Sequence, residues 1–217
     1  MRSKTVIIVV LALLMVACSE TKYVPEGEYL LDKVRVLNDD KEAVGINTND
    51  LRLLVRDRGN SRLFSAAKVP LMTYSMSGRD TTRWVNRLLR SMGEAPQLYD
   101  SASTAQSAQN LQMQLQNLGY LRGTVDVINT TKKRKVVTTY LLHPRNPYFI
   151  DHIDYDIHDS AIAVLLDMAD STHRGLRPGM MFNVENLDNE RKRLTRYLTN
   201  RGYYQFNKDF ISYKADS

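Results

Sequence analysis

The stretches YDSASTAQSAQNLQMQLQNLGY at 99–120 and FNVENLDNERKRLTRYLTNRGY at 182–203 decide the fold. Tyr99-Asp100 and Phe182-Asn183 open them, Gly119-Tyr120 and Gly202-Tyr203 close them, and the offset is 83 residues at both ends. Each reads as a long amphipathic helix. Asp100 and Asn183 supply the side-chain oxygen that the free N–H groups of a first turn need. Phe182 is placed to staple onto Leu187 across the second cap. Gly119 and Gly202 fit the left-handed position just past a helix end, which other residues occupy only at a cost. That geometry folds Tyr120 back onto Leu115 and Tyr203 onto Leu198, with Leu111 and Leu194 continuing the same apolar faces. Matching starts and matching stops at one offset mark two copies of one structural unit.

Strands surround the helices. Tyr29 to Leu37 alternates Val34 and Val36 with Lys33 and Arg35, and Asn38-Asp39-Asp40 turns the chain. Thr48 or Asn49 caps a short helix, Asp50 to Arg58, with Leu51, Leu54 and Val55 on one face and Gly59-Asn60 ending it. Leu63 to Met76 is apolar but broken by Pro70. Thr81 or Thr82 caps a helix that carries Trp84, Val85, Leu88 and Leu89, with Arg83, Arg87 and Arg90 as its solvated face. Thr124 to Ile128, a turn at Asn129 to Arg134, and Val136 to Leu142 make a hairpin. The second copy is expected to have strands at Tyr148 to Ile157 and Phe206 to Tyr213, with a helix from Ser160 to Met168 capped by Asp159. The fold class is α+β: one unit over 29–145 with an insertion near 60–98, and a second over 146–217.

The N-terminus is a separate problem. Arg2 and Lys4 precede an unbroken apolar run, Val6 to Val16, then Ala17 and Cys18, the only cysteine. This is a secretory signal over 1–17, too short for the roughly 20 residues of a membrane-spanning helix. Met-Val-Ala-Cys at 15–18 resembles a lipobox, with methionine where leucine is usual, and so implies lipid on Cys18. Several acyl chains there would anchor firmly, where one binds only marginally. Residues 18–28, with Pro25 and Gly27, read as a tether. Removing the signal takes the net charge from +6 to about +4, a bias too weak to argue for nucleic acid or membrane; no nucleic-acid partner is expected.

Strand–helix–helix–strand–strand, with a long second helix closed by Gly-Tyr, resembles a POTRA domain, the periplasmic module in front of outer-membrane assembly barrels of the BamA/TamA type. The motifs C-S-E-T-K-Y-V-P-E-G-E-Y-L-L at 18–31, G-E-A-P-Q-L-Y-D at 93–100, P-Y-F-I-D-H-I-D-Y at 147–155 and N-R-G-Y-Y-Q-F at 200–206 are similar to the TamA-like lipoproteins of Bacteroidetes (TamL type). The resemblance implies POTRA-like units followed by a C-terminal membrane barrel. This sequence departs from it: two units are expected, the second lacking its last strand, and barrel strands of roughly 9–11 alternating residues do not recur, so the chain is expected to be a truncated product or a fragment. It implies an outer-membrane lipoprotein with its folded part in the periplasm. Its partners would be unfolded outer-membrane proteins, a periplasm-spanning Tam subunit, and membrane lipid through Cys18. Binding would occur by strand addition at edge strands. Those edges are expected at Thr124, Val125 and Val127 in the first unit and at Phe206, Phe210 and Ile211 in the second.

No catalytic set accompanies these features. His143, His152, His158 and His173 lack helical metal spacing, and no nucleophile elbow or P-loop occurs. Asp154 and Asp156 read as a strand's polar face. Lys132-Lys133-Arg134-Lys135 reads as a solvated turn that could touch anionic lipid. No cofactor, metal or enzymatic activity is expected. Two other classes stay open: a lipoprotein scaffold or ligand-binding module of a surface complex, and a periplasmic hydrolase, which the missing catalytic set argues against.

Overall fold

The computed structural model describes residues 20–63, 68–172 and 175–216; Cys18 and His173 lie outside them. The order is β1 (Leu30–Asn38), α1 (Thr48–Arg52), α2 (Val69–Met76), α3 (Trp84–Met92), α4 (Ser101–Asn117), β2 (Thr124–Lys132), β3 (Lys135–His143), α5 (Ser160–Thr172), α6 (Val184–Thr199), and a 3₁₀ turn at Lys208–Phe210. The class is α+β, with one three-stranded sheet in the order β1-β3-β2. The chain forms two compact units. The first gathers the described residues up to Leu37, Thr48–Leu111 and Val125–Leu142. The second gathers Asn38–Asn47, Gln112–Thr124 and the described residues from His143 on.

The two long helices end alike. Gly119 has φ +99° and Gly202 φ +100°. The Tyr120 N–H donates to Leu115 O at 2.9 Å and the Gly119 N–H to Gln116 O at 2.9 Å; Tyr203 and Gly202 repeat the pattern on Leu198 O (3.2 Å) and Thr199 O (3.3 Å). Both are Schellman closures, satisfying carbonyls that a helix end leaves unpaired. At the other ends Asp100 accepts from the N–H groups of Ala102 (3.0 Å) and Ser103 (3.2 Å), and Asn183 from Asn186 (2.8 Å).

In the first unit, β1 turns Val34 and Val36 inward, and β3 alternates buried Val136, Thr138, Tyr140 and Leu142 with half-buried residues. Leu51, Val55, Leu71 and Leu111 complete that core, each at 3 % exposure or less. Pro70 does not break the apolar stretch before Met76. It sits in the first turn of α2, where its missing N–H has no helical partner to lose. The expected tether is not free along 20–25. Val24 is buried with Leu30 and Leu71, Lys22 donates to Ser75 O (3.0 Å) and Ser77 O (2.8 Å), and Arg134 donates to Val24 O (2.7 Å). Helix α1 is shorter than expected: after Arg52 the chain tightens into i→i+3 bonds at Leu53, Leu54 and Val55.

The second unit departs most from expectation. The strand expected at Tyr148 to Ile157 is reduced to one bridge, Phe149 to Met181. Its flanking bonds are Ile150 N–H to Met180 O (2.8 Å) and Phe182 N–H to Tyr148 O (2.8 Å). The strand expected at Phe206 to Tyr213, with Phe206, Phe210 and Ile211 on its edge, does not form. Asn207 accepts from Asp209 N–H at 3.2 Å and caps the 3₁₀ turn, and the Phe206 and Phe210 rings meet edge-on at 5.7 Å. A short polar side chain that captures a backbone N–H two residues on offers the chain a turn instead of a ladder. With that segment turned aside, no strand forms after Ile150 among the described residues, and a lone pair of strands is marginal. The core here is Leu115, Tyr120, Ile150, Leu176, Leu194 and Leu198.

Candidate functional site: a free sheet edge

Strand β3 is central. Leu30 N–H, at the head of β1, donates to Arg134 O just ahead of β3 at 2.9 Å. Asp39, just past β1, meets His143 at the end of β3. The two strands therefore run parallel. β2 and β3 join through only Lys133 and Arg134, with Lys133 at φ +56°, four residues shorter than the turn expected at Asn129 to Arg134. That turn places Asn129 opposite Thr138, whose hydroxyl donates to its Oδ1 at 2.8 Å. The Asn129 amide also donates to the Tyr99 hydroxyl at 3.0 Å.

Register then fixes which backbone groups face outward. The Arg134 carbonyl points at β1, so alternate β3 residues from Lys135 through Leu141 point at β2. In an antiparallel ladder residues alternate between bonding inward and turning away. Lys132, Thr130, Ile128 and Asp126 are the inward-bonding residues of β2. The N–H and C=O of Val125, Val127, Asn129 and Thr131 point away from β3. Among the described residues no strand pairs with that side.

The other edge of the sheet is partly taken. Leu31 N–H donates to Gln97 O at 2.8 Å, and Tyr99 N–H to Tyr29 O at 2.8 Å. Buried Asn60 holds this segment, donating to Ala95 O (2.7 Å) and accepting from Gln97 N–H (3.0 Å). Among the described residues β2 is the outer strand with no bridge along its free side.

Side chains along β2 alternate about that edge. Val125 and Val127 share the face of Tyr140 and Leu142, while Ile128 lies on the opposite face. Val127 is 38 % and Ile128 48 % exposed. Tyr140, opposite Val127, is held rigidly: its hydroxyl donates to Asp57 Oδ2 at 3.1 Å, an oxygen that also accepts from Thr104 Oγ1 at 3.1 Å. Burial pushes the Tyr140 phenol up to about 12, so it stays a protonated donor across the physiological range. The structure therefore brings Thr124, Val125 and Val127 together on one strand, although Thr124 bonds inward. Asn129 and Thr131 also turn outward. The β-branched pair Thr130-Thr131 was the signal that the strand runs on past Asn129.

The second unit offers a groove of about 460 Å³ whose lining includes Tyr148, Ile150, Ile153, Leu176, Leu187 and Tyr213. The Tyr213 hydroxyl donates to Leu187 O at 3.0 Å, and burial raises its pKa to about 12. His152 pairs with Asp154 at 2.9 Å. Among the described residues no three His, Cys, Asp or Glu side chains are grouped to hold a metal, and no helix is long and apolar enough to cross a membrane.

The fold and the site define an α+β chain whose small mixed sheet ends in β2, a strand that pairs on one side only among the described residues. No protein-family model matches the chain, and no curated protein matches it. Among solved structures it is similar to the crystal structure of Haemophilus influenzae BamA POTRA3-5, at 10 % identity and a TM-score of 0.28, over 83 % of this chain and 89 % of that one.

Proposed function

We propose that this chain is the periplasmic, lipid-anchored binding region of an outer-membrane protein assembly machine of the POTRA-containing, TamA-like kind, and that unfolded clients or partner subunits add a strand to β2. The observation that carries this reading is the outward row of N–H and C=O groups at Val125, Val127, Asn129 and Thr131. Backbone pairing there is indifferent to client sequence, which suits a receptor for many β-rich chains, while Val125, Val127 and Ile128 favour apolar residues at alternate client positions. The order of elements, with parallel β1 beside a central β3, supports the POTRA assignment. The role is binding, without covalent chemistry.

Val127→Pro tests it. Proline removes only an outward N–H, and sheet edges tolerate it there. The variant is expected to keep its fold by circular dichroism and to lose most of its capture of unfolded outer-membrane β-barrel peptides. Capture unchanged in a folded Val127→Pro chain would overturn the assignment of the edge. Glycans captured in place of such peptides would favour the surface-scaffold alternative. The anchor has its own test: Cys18→Ala is expected to abolish fatty-acid labelling and release the protein from membranes. Label incorporated into the Cys18→Ala protein would overturn the anchor.

A further inference from the structure

Helix α3 is turned the wrong way for a core element. Trp84 and Met92 are each 69 % exposed, Leu88 47 % and Val85 44 %, and no residue of the helix is buried. Trp84, Leu88 and Met92 recur every four residues with Val85 beside them, so they form one stripe. The opposite side of the helix makes the contacts with its surroundings. Gly93 comes so close to Tyr74 of α2 that a Cβ there would lie 2.5 Å from its backbone nitrogen. Asn86 accepts from Gly78 N–H at 2.8 Å, and Arg90 donates to Ser77 Oγ (3.2 Å) and Gly78 O (3.0 Å). Arg87 is exposed on the flank of the stripe, and Arg79 and Arg83, the latter paired with Asp80 at 3.4 Å, are exposed just ahead of the helix.

The N-terminal segment docks onto this same pair of helices. The Tyr23 hydroxyl donates to Ser77 O at 2.5 Å, its ring meets Tyr74 edge-on at 5.5 Å, and the Arg90 guanidinium sits over it at 5.3 Å. Cys18 precedes Tyr23 by five residues, a reach of at most about 17 Å even fully extended. Lipid attached at Cys18 therefore enters the bilayer close to α3.

We infer that α3 is an interfacial helix: its Trp84-Val85-Leu88-Met92 stripe lies in the headgroup–acyl boundary of the anchoring phospholipid bilayer, with the arginines in the headgroups. An exposed apolar stripe with a tryptophan and flanking cations has the composition of helices that lie in that plane, buried about 5–10 Å. The short docked segment leaves the first unit no long tether on which to stand away from the surface. The consequence is orientation: the anchor and α3 together fix which way the unit, and with it β2, faces. This inference rests on the lipidation read at Cys18.

Trp84 is the only tryptophan, so its fluorescence reports on this stripe alone. The test uses the mature lipidated chain in phosphatidylcholine–phosphatidylglycerol vesicles with brominated acyl chains. Expected are a blue-shifted emission, loss of acrylamide quenching, and stronger quenching by bromines near the head of the acyl chain than by those near its end. Leu88→Asp, at an exposed position that leaves the core intact, is expected to return Trp84 to water while the lipid keeps the protein on the vesicles. Vesicle-bound wild type with water-like, bromine-insensitive emission would overturn the inference and leave the anchor standing. Protein that does not join the vesicles at all would overturn both.

Discussion

Replacing Asp32 with alanine is expected to lower the stability of the first unit by ~3 kcal/mol or more, because it strands a buried cation. The Lys68 side chain is 2 % exposed, and its ammonium meets Asp32 Oδ1 at 2.5 Å and Glu20 Oε2 at 3.6 Å. Glu20 also binds Lys135 at 2.8 Å, so without Asp32 the carboxylate left beside Lys68 is a more distant one that it shares. Burial alone would raise the Asp32 carboxyl pKa. The Lys68 hydrogen bond and charge, with Arg62 and Lys135, more than offset it and hold the carboxyl below the usual range. A depressed carboxyl contributes stability that is fully present above its unfolded pKa, roughly 4, and is lost as pH falls through the folded value. Wild type should thus weaken in acid more steeply than Asp32→Ala. Asp32→Ala/Lys68→Met should regain most of the loss, since no buried cation remains; Arg62, which also pairs with Asp32 at 3.4 Å, is partly exposed and keeps water. Amide exchange of the first unit's core reads these differences without assuming that both units melt together. An Asp32→Ala protein as stable as wild type would mean that the pair is solvated and Lys68 is not buried.

The second large effect is expected at Gly119. A Cβ there meets the Phe182 carbonyl oxygen at 2.8 Å and Met181 Cε at 3.1 Å, whereas a Cβ at Gly202 meets nothing within 4 Å. Both positions have φ near +100°. Alanine at either pays the left-handed cost of ~1–2 kcal/mol, but at Gly119 overpacking adds ~1–3 kcal/mol. Gly119→Val, larger and β-branched as well, should cost more than Gly119→Ala, ~4 kcal/mol or more. The urea midpoint should fall in the order wild type, Gly202→Ala, Gly119→Ala, Gly119→Val. Equal midpoints for the two alanine variants would contradict the close passage of Phe182 beside the Gly119 cap. The repeat therefore has a structural asymmetry: one cap is a packed junction and the other an open end.

Legibility followed local chemistry. The caps at Asp100 and Asn183 and the left-handed closures at Gly119 and Gly202 were readable because each is decided within five residues by the chain's own donors and acceptors. The first unit's strands were readable because their alternation coincides with a buried face. Three features were not. Pro70 looked like a break because its place in a first turn depends on where α2 starts. Phe206 to Tyr213 has the composition of a strand, but Asn207 diverts the backbone into a turn, and composition does not rank a local capture against a ladder that needs a distant partner. The exposure of the α3 stripe is not legible, because amphipathic period says which residues share a face, not what covers it. The free edge itself was half legible. The sequence puts Thr124, Val125 and Val127 on one strand, but which residues bond inward follows from the two-residue turn at Lys133-Arg134, and the polar run from Asn129 to Arg134 has the composition of a longer one.

The central claim is strand addition at β2, and hydrogen exchange along that strand tests it most directly. Amide exchange of 124–132 is measured with and without an unfolded peptide from an outer-membrane β-barrel. An added strand bonds only the outward groups. The N–H groups of Val125, Val127, Asn129 and Thr131 should slow on binding, while those of Asp126, Ile128, Thr130 and Lys132, already paired with β3, should change little. Peptide bound with no protection gained at 125, 127, 129 and 131, or with protection spread evenly along the strand, would contradict it.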